Sequence, residues 1–330
     1  PAGVTQRLVT ALTALHISLP QPGIYHKLAQ ALDTPDGPPQ PVNRPAPRPP
    51  VEARPNRLYV TAVEKWMRDP YSIYARYILG LKKLPPLEEQ ADAARRGTMM
   101  HEILDRFIDT HRSVLPDNAE ERLIALGREI LGEQLDEPRL WGFWWPRFER
   151  LGHWFVTHER QWRQMATPEK TEAEGSATLD IDGTPFVLCA KADRIDRLHG
   201  DNGYAMIDYK TGSIPTKKDI EQGYAPQLPL EAVILQEGGF PGISGGDVPY
   251  TGFWKMTGGD IPGEEKTVNT DPETARQGLV RLVRQFRDQT TPYYSLPRPD
   301  KAPPAAWQDY AHLARIQEWA ALDDSSEEAA

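Results

Sequence analysis

Residues 207–212, Ile-Asp-Tyr-Lys-Thr-Gly, decide the fold class and the chemistry that we expect of this chain. Side chains alternate along a β-strand, so Asp208 and Lys210 are predicted to point to the same face. A second acid, Asp193, precedes Asp208 by 15 residues. The intervening segment 199–203, His-Gly-Asp-Asn-Gly, is typical of a turn. Pairing of the flanking runs as a hairpin would place Asp193 opposite Asp208.

Two converging acids beside a lysine indicate a binding site for a hard divalent cation, of the kind that is used to hydrolyse phosphodiesters. An isolated Asp-Xaa-Lys triplet is more often part of a solvated surface strand. Here the apolar runs 186–190 and 205–207 precede the two acids. Charges at the ends of buried strands usually have a partner or a metal, which favours the cation site. Glu174 is a candidate for a supplementary acid.

The composition is that of an ordinary globular protein, with 39% hydrophobic and 26% charged side chains among 330 residues. The sequence has no apolar run of the ~20 residues that a membrane span needs and no signal-peptide pattern, so we expect a cytoplasmic location. The net charge of −9 argues against a non-specific nucleic-acid coat. Short basic clusters, such as Arg194 with Arg197, nevertheless lie beside the predicted site and favour DNA as a ligand.

We expect an N-terminal helix and proline-rich linker over residues 1–56, followed by one domain over residues 57–330. A first residue that is proline rather than methionine is consistent with a piece of a longer chain. In the domain, helices are predicted up to about residue 165, the first with a capping box of Thr61 and Glu64. The later elements are predicted as strands 173–181, 184–197 and 203–210, helix 220–236, strand 248–256, and helices 272–288 and 306–320.

Four elements, in a fixed order, carry a resemblance to a known family. They are a helix with Gly97 and His101, the run 190–196 (Ala-Lys-Ala-Asp-Arg-Ile-Asp), the run 207–212, and Gln227. Together they resemble the RecB-like branch of the PD-(D/E)XK nuclease superfamily. Residues 61–76 and 227–232 are similar to the C-terminal nuclease domain of the AddB components of AddAB helicase–nucleases.

This resemblance implies a mixed α/β, restriction-endonuclease-like fold, in which helices flank a central mixed β-sheet and a large helical part precedes it. It implies Mg²⁺-dependent DNA hydrolysis, with Mn²⁺ as a possible substitute. The substrate would be single-stranded DNA from a processed duplex end, and the partner an AddA-type helicase–nuclease subunit in double-strand break repair and recombination.

The resemblance also implies a role for each site residue. It assigns metal binding to His101, Asp193, Asp208 and the backbone carbonyl of Tyr209, with His101 alternatively a positioning group. Lys210 would orient or deprotonate the attacking water and offset charge on the phosphate. Gln227 would contact the site or the DNA from the following helix. The number of metal ions, one or two, remains open. It also remains open whether Lys210 acts as a base or as an electrostatic stabiliser.

The sequence departs from the family at two places. The family usually has a tyrosine four residues after Gln227, where this chain has Glu231, and this leaves the role of that position open. Many relatives hold an iron–sulfur cluster with four cysteines. Here Asp69 occupies the first of those positions and Cys189 is the single cysteine, so no such cluster is expected. We expect packing to join the terminal segments instead, with candidates Trp307, Tyr310, Leu313 and Trp319.

Two other functions remain open at this point. One is a catalytically inactive nuclease fold that serves as a scaffold or DNA clamp. The complete set of Asp193, Asp208 and Lys210 argues against it, because a clamp would tolerate loss of any of them. The other is a stand-alone RecB-like exonuclease, for which the lack of cluster cysteines makes a Cas4-like version a poor candidate.

Overall fold

The computed structural model describes residues 10–16, 23–34, 42–84, 93–131, 142, 144–200, 203–268, 271–303 and 308–319. It divides into two compact units, Pro1–Asn43 with Gln317–Ala330, and Arg44–Ile316. The first unit contains helix α1 (Ile24–Asp33), all of whose side chains are exposed. Val4 and Leu8, two positions of the predicted N-terminal helix, lie outside the described residues.

The second unit is built around a mixed sheet of six strands. The strands are β1 (Arg57–Tyr59), β2 (Ala166–Ile181), β3 (Thr184–Leu198), β4 (Tyr204–Lys210), β5 (Tyr250–Met256) and β6 (Gly263–Val268). Their order is β1-β3-β4-β5-β6, and β2 also pairs with β3. The β1–β3 and β4–β5 pairs are parallel, whereas the other pairs are antiparallel. The predicted fold class is confirmed.

The helices of this unit pack on the sheet and on one another. They are α2 (Val60–Arg68), α3 (Pro70–Ile73), α4 (Ala93–Thr110), α5 (Ala119–Leu131), α6 (Trp145–Trp162), α7 (Lys217–Glu221), α8 (Gln227–Gln236) and α9 (Pro272–Arg287). A π-helical turn (Tyr74–Ile78) follows α3, and short 3-10 turns occupy Val51–Ala53 and Pro299–Lys301. Within the described parts of the chain, no helix has the length and apolar character that crossing a membrane requires.

Two apolar cores lie against the two faces of the sheet. Met206 of β4 belongs to the core formed with α2, α8 and α9, whereas Ile207 and Tyr209 belong to the core formed with α4, α5 and α6. This confirms the predicted alternation of β4. Helix α8 is buried on all sides, as expected of a helix that is apolar all round.

The structure corrects several of the predicted elements. The helix predicted over 220–236 is two helices, because Gly223 adopts a left-handed conformation (φ +76°) and Pro226 immediately precedes α8. The predicted capping box is wrong: α2 begins at Val60 without a side-chain cap, and Glu64 pairs with Arg68 instead. Only residues 316–319 of the helix predicted over 306–320 are helical among those that the structure describes.

Asp69, at the junction of α2 and α3, joins this junction to a distant segment of the same unit. Its carboxylate is 4% exposed and accepts hydrogen bonds from the hydroxyl of Ser72 and the backbone N–H of Leu296. The N–H of Tyr71 donates to the carbonyl of Tyr294 at 3.1 Å. A hydrogen-bonded clasp therefore forms at Asp69, the position that the resemblance relates to the first cluster cysteine.

The residues that were predicted to join these segments by packing contribute unequally. Tyr310 is buried and its hydroxyl donates to the carbonyl of Leu81 at 2.7 Å. Leu313 is 42% exposed, and Trp319 belongs to the first unit. Trp307 lies outside the described residues. Packing thus supplements the hydrogen bonds of Asp69 rather than replacing them.

Candidate functional site

The β3–β4 hairpin brings the two predicted acids together at the ends of two interior strands of the sheet. The antiparallel register places Arg194 opposite Ile207, and Asp193 and Asp208 stand one position further along. Asp193 Oδ2 accepts a hydrogen bond from the backbone N–H of Tyr209 at 2.8 Å. The hairpin predicted from the turn chemistry is confirmed.

Asp208, Lys210 and Gln227 form one connected group. Lys210 Nζ lies 2.7 Å from Asp208 Oδ2, as the shared strand face predicts. Gln227, the first residue of α8, donates from Nε2 to Asp208 Oδ1 at 2.5 Å and accepts from Lys210 Nζ at 3.3 Å. Because the amide contacts both charged groups, Gln227 fixes their relative positions.

Glu231 lies one helical turn after Gln227 on α8, and it is 2% exposed. The amide Nε2 of Gln227 donates to Glu231 Oε1 at 3.2 Å. Burial raises the pKa of Glu231 well above its usual range, and the nearby acids Asp208 and Asp193 raise it further. Glu231 therefore provides the acceptor oxygen that holds the Gln227 amide.

His101 projects from α4 onto the end of the hairpin. Its Nε2 lies 3.0 Å from the carbonyl oxygen of Tyr209, and its Nδ1 lies 3.4 Å from Asp193 Oδ1 and 3.7 Å from Glu172 Oε1. Burial lowers the pKa of His101, but the Asp193 and Glu172 carboxylates outweigh it and raise the pKa to about 10. At neutral pH the imidazole is thus protonated, and its Nε2–H donates to Tyr209.

Glu172, on β2, is the site residue that the sequence reasoning missed. Its φ of +47° lies in the left-handed region, which is unusual for a residue with a side chain. A bulge between Pro168 and Lys170 shifts the register of β2 nearby, and Glu172 also forms an ion pair with Lys191. Backbone strain of this kind clusters at functional sites. The candidate named from the sequence, Glu174, is exposed.

The residues of this site fit a divalent cation. The ligand atoms of His101, Glu172 and Asp193 all lie within 4.8 Å of one another, and Asp208 stands outside this trio beside Lys210. Asp208 Oδ2 is buried and, despite its closeness to Lys210, accepts no well-formed hydrogen bond. Several carboxylate oxygens with one imidazole nitrogen are ligands that suit Mg²⁺ or Mn²⁺. The trio of His101, Glu172 and Asp193 could hold such an ion, and Asp208 is a further carboxylate of the site.

A second charged group lies directly behind the site, on the opposite face of β3. Arg194 is fully buried and donates to Glu159 Oε2 and Asp196 Oδ2, each at 2.7 Å. Arg163 donates to Glu159 Oε1 at 2.6 Å, and Trp162 donates to Asp196 Oδ2 at 2.6 Å. The expectation that Arg194 favours DNA binding is wrong, because this side chain is enclosed and ion-paired.

The alternation of β3 shifts at the site. Ala192 and Ile195, three residues apart, both contribute to the core beneath α8, so the strand does not alternate strictly between them. The shift lets Arg194 face the opposite core, where its guanidinium donates to the Tyr209 hydroxyl at 3.3 Å. The enclosed group therefore supports the residue whose backbone contacts both His101 and Asp193.

The site opens onto two clefts. One, of about 760 Å³, is reached from Lys210 and Gln227 and is called the Lys210 cleft below. The other, of about 470 Å³, is lined by His101, Glu172 and Lys191 together with acidic residues of α4. Two clefts therefore border the cluster.

Three related proteins give the context of the chain. An uncharacterized protein of Rickettsia bellii is 27% identical over 276 residues, which cover 78% of this chain and 32% of the relative. One from Rickettsia conorii is 30% identical over 190 residues, or 56% of this chain and 23% of the relative. A subunit of the ATP-dependent helicase/deoxyribonuclease of Streptococcus pneumoniae is 23% identical over 165 residues, or 47% of this chain and 14% of the relative.

The chain spans about a third or less of the length of these relatives. A sequence profile of one nuclease superfamily matches residues 57–321, which is most of the chain and includes every site residue described above. This match and the mixed sheet, which has acidic residues at the ends of β3 and β4, lead to the same assignment. The chain belongs to the PD-(D/E)XK nuclease superfamily.

Proposed function

We propose that this chain is a Mg²⁺-dependent deoxyribonuclease domain that hydrolyses phosphodiesters in single-stranded DNA. The observation that carries the proposal is the convergence of Glu172, Asp193, Asp208, His101 and Lys210 at the ends of interior strands, beside two clefts. Membership of a nuclease superfamily, whose members generally use divalent metal ions, supports it. Similarity to a component of an ATP-dependent helicase/deoxyribonuclease supports a place in an AddAB-type complex with an AddA-type partner.

When bound, a divalent cation supplies an activated water and neutralises charge on the phosphate. His101, Glu172, Asp193 and Asp208 would hold it, with the Tyr209 carbonyl close by. Asp193 is preorganised for this role because the Tyr209 N–H fixes one of its oxygens. Preorganised ligands need little rearrangement when the ion and the substrate arrive.

Lys210 is best suited to an electrostatic role on the phosphate. Burial lowers the pKa of Lys210, but the Asp208 carboxylate outweighs it and raises the pKa. The side chain is therefore an ammonium group before substrate binds, and an ammonium group cannot accept a proton from water. Gln227, held by Glu231, keeps this ammonium group beside Asp208 and directed to the Lys210 cleft.

Cleavage of an end-labelled single-stranded oligonucleotide tests the proposal. We expect cleavage with Mg²⁺ or Mn²⁺, none with EDTA, and a rate at least about 100-fold lower for Asp208→Asn and Lys210→Ala, since each removes a group that acts on charge in the reaction. Lys217→Ala is the matched control, because this lysine side chain is 85% exposed. Equal rates for Asp208→Asn and the parent would refute the proposal. Tight binding without cleavage under any divalent ion would favour the scaffold or clamp function.

A further inference from the structure

The Lys210 cleft has walls that the chemistry of the site does not use. It is lined by residues of α2, the π-helical turn, the segment after β4 and the segment around residue 309. Its volume of about 760 Å³ lies within the range of clefts that hold small ligands. Lys210 and Gln227 belong to its lining, so a molecule in the cleft would contact groups of the site.

The acids on the wall are already neutralised by neighbouring cations. The pairs are Glu64 with Arg68 at 3.2 Å, Asp219 with Lys301 at 2.8 Å, and Asp309 with Lys83 at 2.9 Å. Lys65 is attracted by Asp309 and Glu64 and repelled by Arg76. Among the described residues, no carboxylate is within ion-pair distance of Arg76. The cleft therefore has a surplus of positive charge, although the chain as a whole is acidic.

An aromatic ring stands beside this charge. Tyr77 is 38% exposed, and the guanidinium of Arg76 lies 5.8 Å from its ring centroid. Both residues belong to the π-helical turn, Tyr74–Ile78. Such turns are rare and frequently occur at functional sites. A cationic groove combined with an aromatic face is the arrangement by which proteins hold single-stranded nucleic acid.

We propose that the Lys210 cleft binds the DNA strand next to the phosphodiester that is cut, with Lys65 and Arg76 on phosphates and Tyr77 stacked on a base. This inference rests on the proposed nuclease function. An unpaired base is needed for stacking on Tyr77, so the cleft selects a single strand over a duplex.

Binding of a fluorescent oligothymidylate in EDTA, measured by anisotropy, tests the phosphate contacts without cleavage. We expect Lys65→Ala/Arg76→Ala to bind at least about 10-fold more weakly than the parent, because charge-assisted contacts are lost. The slope of log affinity against log salt should fall by about 1.4, since each phosphate contact on a single strand contributes about 0.7. Arg122→Ala/Arg284→Ala removes the same charge from two exposed positions outside the cleft and should change neither value.

Tyr77→Ala and Tyr77→Phe test the stacking. We expect about 5- to 150-fold weaker binding for the alanine variant, the range for loss of one base–aromatic stack, and near-parent binding for phenylalanine. The single variant Arg76→Ala, at an exposed position, provides the charge test if the double variant is unstable. Melting temperatures equal to that of the parent establish that each variant is folded.

The outcomes separate this inference from the proposed function. A parent that cleaves single strands, with unchanged affinity and salt slope in the cleft variants, would overturn the cleft assignment and leave the nuclease function intact. A parent that binds through the cleft residues but never cleaves would support the cleft and refute the nuclease. Parent affinity for duplex equal to that for the single strand would also overturn the selection that we propose.

Discussion

Strand β3 carries two charged groups on opposite faces, and they differ in what balances their charge. The closed cluster consists of Glu159, Arg163, Arg194 and Asp196, with two carboxylates against two guanidinium groups. Burial raises the pKa of Glu159, but Arg194 and Arg163 outweigh it and lower the pKa. A guanidinium keeps its proton in proteins. Burial raises the pKa of Asp196, so the permanent charges of the closed cluster are those of its two guanidinium groups.

The open cluster consists of His101, Glu172, Asp193, Asp208 and Lys210. Here Glu172 pairs with Lys191 and Asp208 with Lys210, whereas Asp193 is balanced by a proton on His101. That proton can be exchanged for a metal ion, because a histidine binds a metal in its neutral form. Acid content alone does not separate a structural group from a functional one. Exchangeable protons and access to solvent do.

The largest effect is expected from breaking the closed cluster. Arg194→Met should lower the free energy of unfolding by about 3–5 kcal/mol, because it leaves the buried Asp196 without an ion-pair partner and Glu159 with Arg163 alone. Lys210→Met should cost less than about 2 kcal/mol, because Asp208 can take up a proton instead. Urea denaturation of both variants measures this difference. Equal losses would show that the two clusters are alike in stability.

A smaller effect is expected from Glu172, which sharpens the definition of the open cluster. Glu172→Gln should weaken Mg²⁺ binding by about 10- to 100-fold, the range for loss of a group that supports a metal site. Glu174→Gln, two residues away and exposed, is the matched control and should leave the affinity unchanged. Calorimetric titration with Mg²⁺ distinguishes them, and a larger effect at Glu174 would contradict the assignment of Glu172.

Stabilisation by Mg²⁺ should depend on pH. Burial raises the pKa of Asp208 to about 6, although Lys210 opposes this. An acid with a raised pKa holds its proton at pH 5 and has lost it at pH 8, and the cation binds the ionised form. Release of the proton from His101 acts in the same direction. The rise in Tm that Mg²⁺ causes should be a few degrees larger at pH 8 than at pH 5. An equal rise at both values would contradict proton exchange at this cluster.

The smallest effect is expected at Glu231. Glu231→Gln retains a carbonyl oxygen for the Gln227 amide, so cleavage should change less than about 3-fold, equivalent to a fraction of one hydrogen bond. Glu231→Leu removes that acceptor and should be slower than the glutamine variant. Single-turnover cleavage rates test this order. A reversed order would show that the carboxyl group itself, rather than its contact with Gln227, matters.

Local chemistry explains what was predictable. The β3–β4 hairpin was predicted from the turn at 199–203 and from strand alternation. Together they placed Asp193 and Asp208 opposite each other at the ends of the two strands. His101 and Gln227 come from distant helices, and only the resemblance to the nuclease superfamily related them to the hairpin. Strands β1 and β6 were not predicted, since they are short and rich in polar residues.

Tertiary context explains what was missed. The position of the Glu172 side chain depends on a left-handed backbone and a nearby bulge, neither of which has a signature in the residues around it. The sequence around Arg194 is that of an exposed basic residue, because its partner Glu159 lies 35 residues earlier on a helix. Both errors concern contacts between remote segments, which periodicity does not encode.

The Asp69 clasp has a consequence for how this protein tolerates its surroundings. The Asp69 carboxylate is held by a hydroxyl and a peptide N–H, and such a contact involves neither a redox-active group nor a metal ion. We therefore expect this join between remote segments to resist air, peroxide and iron chelators.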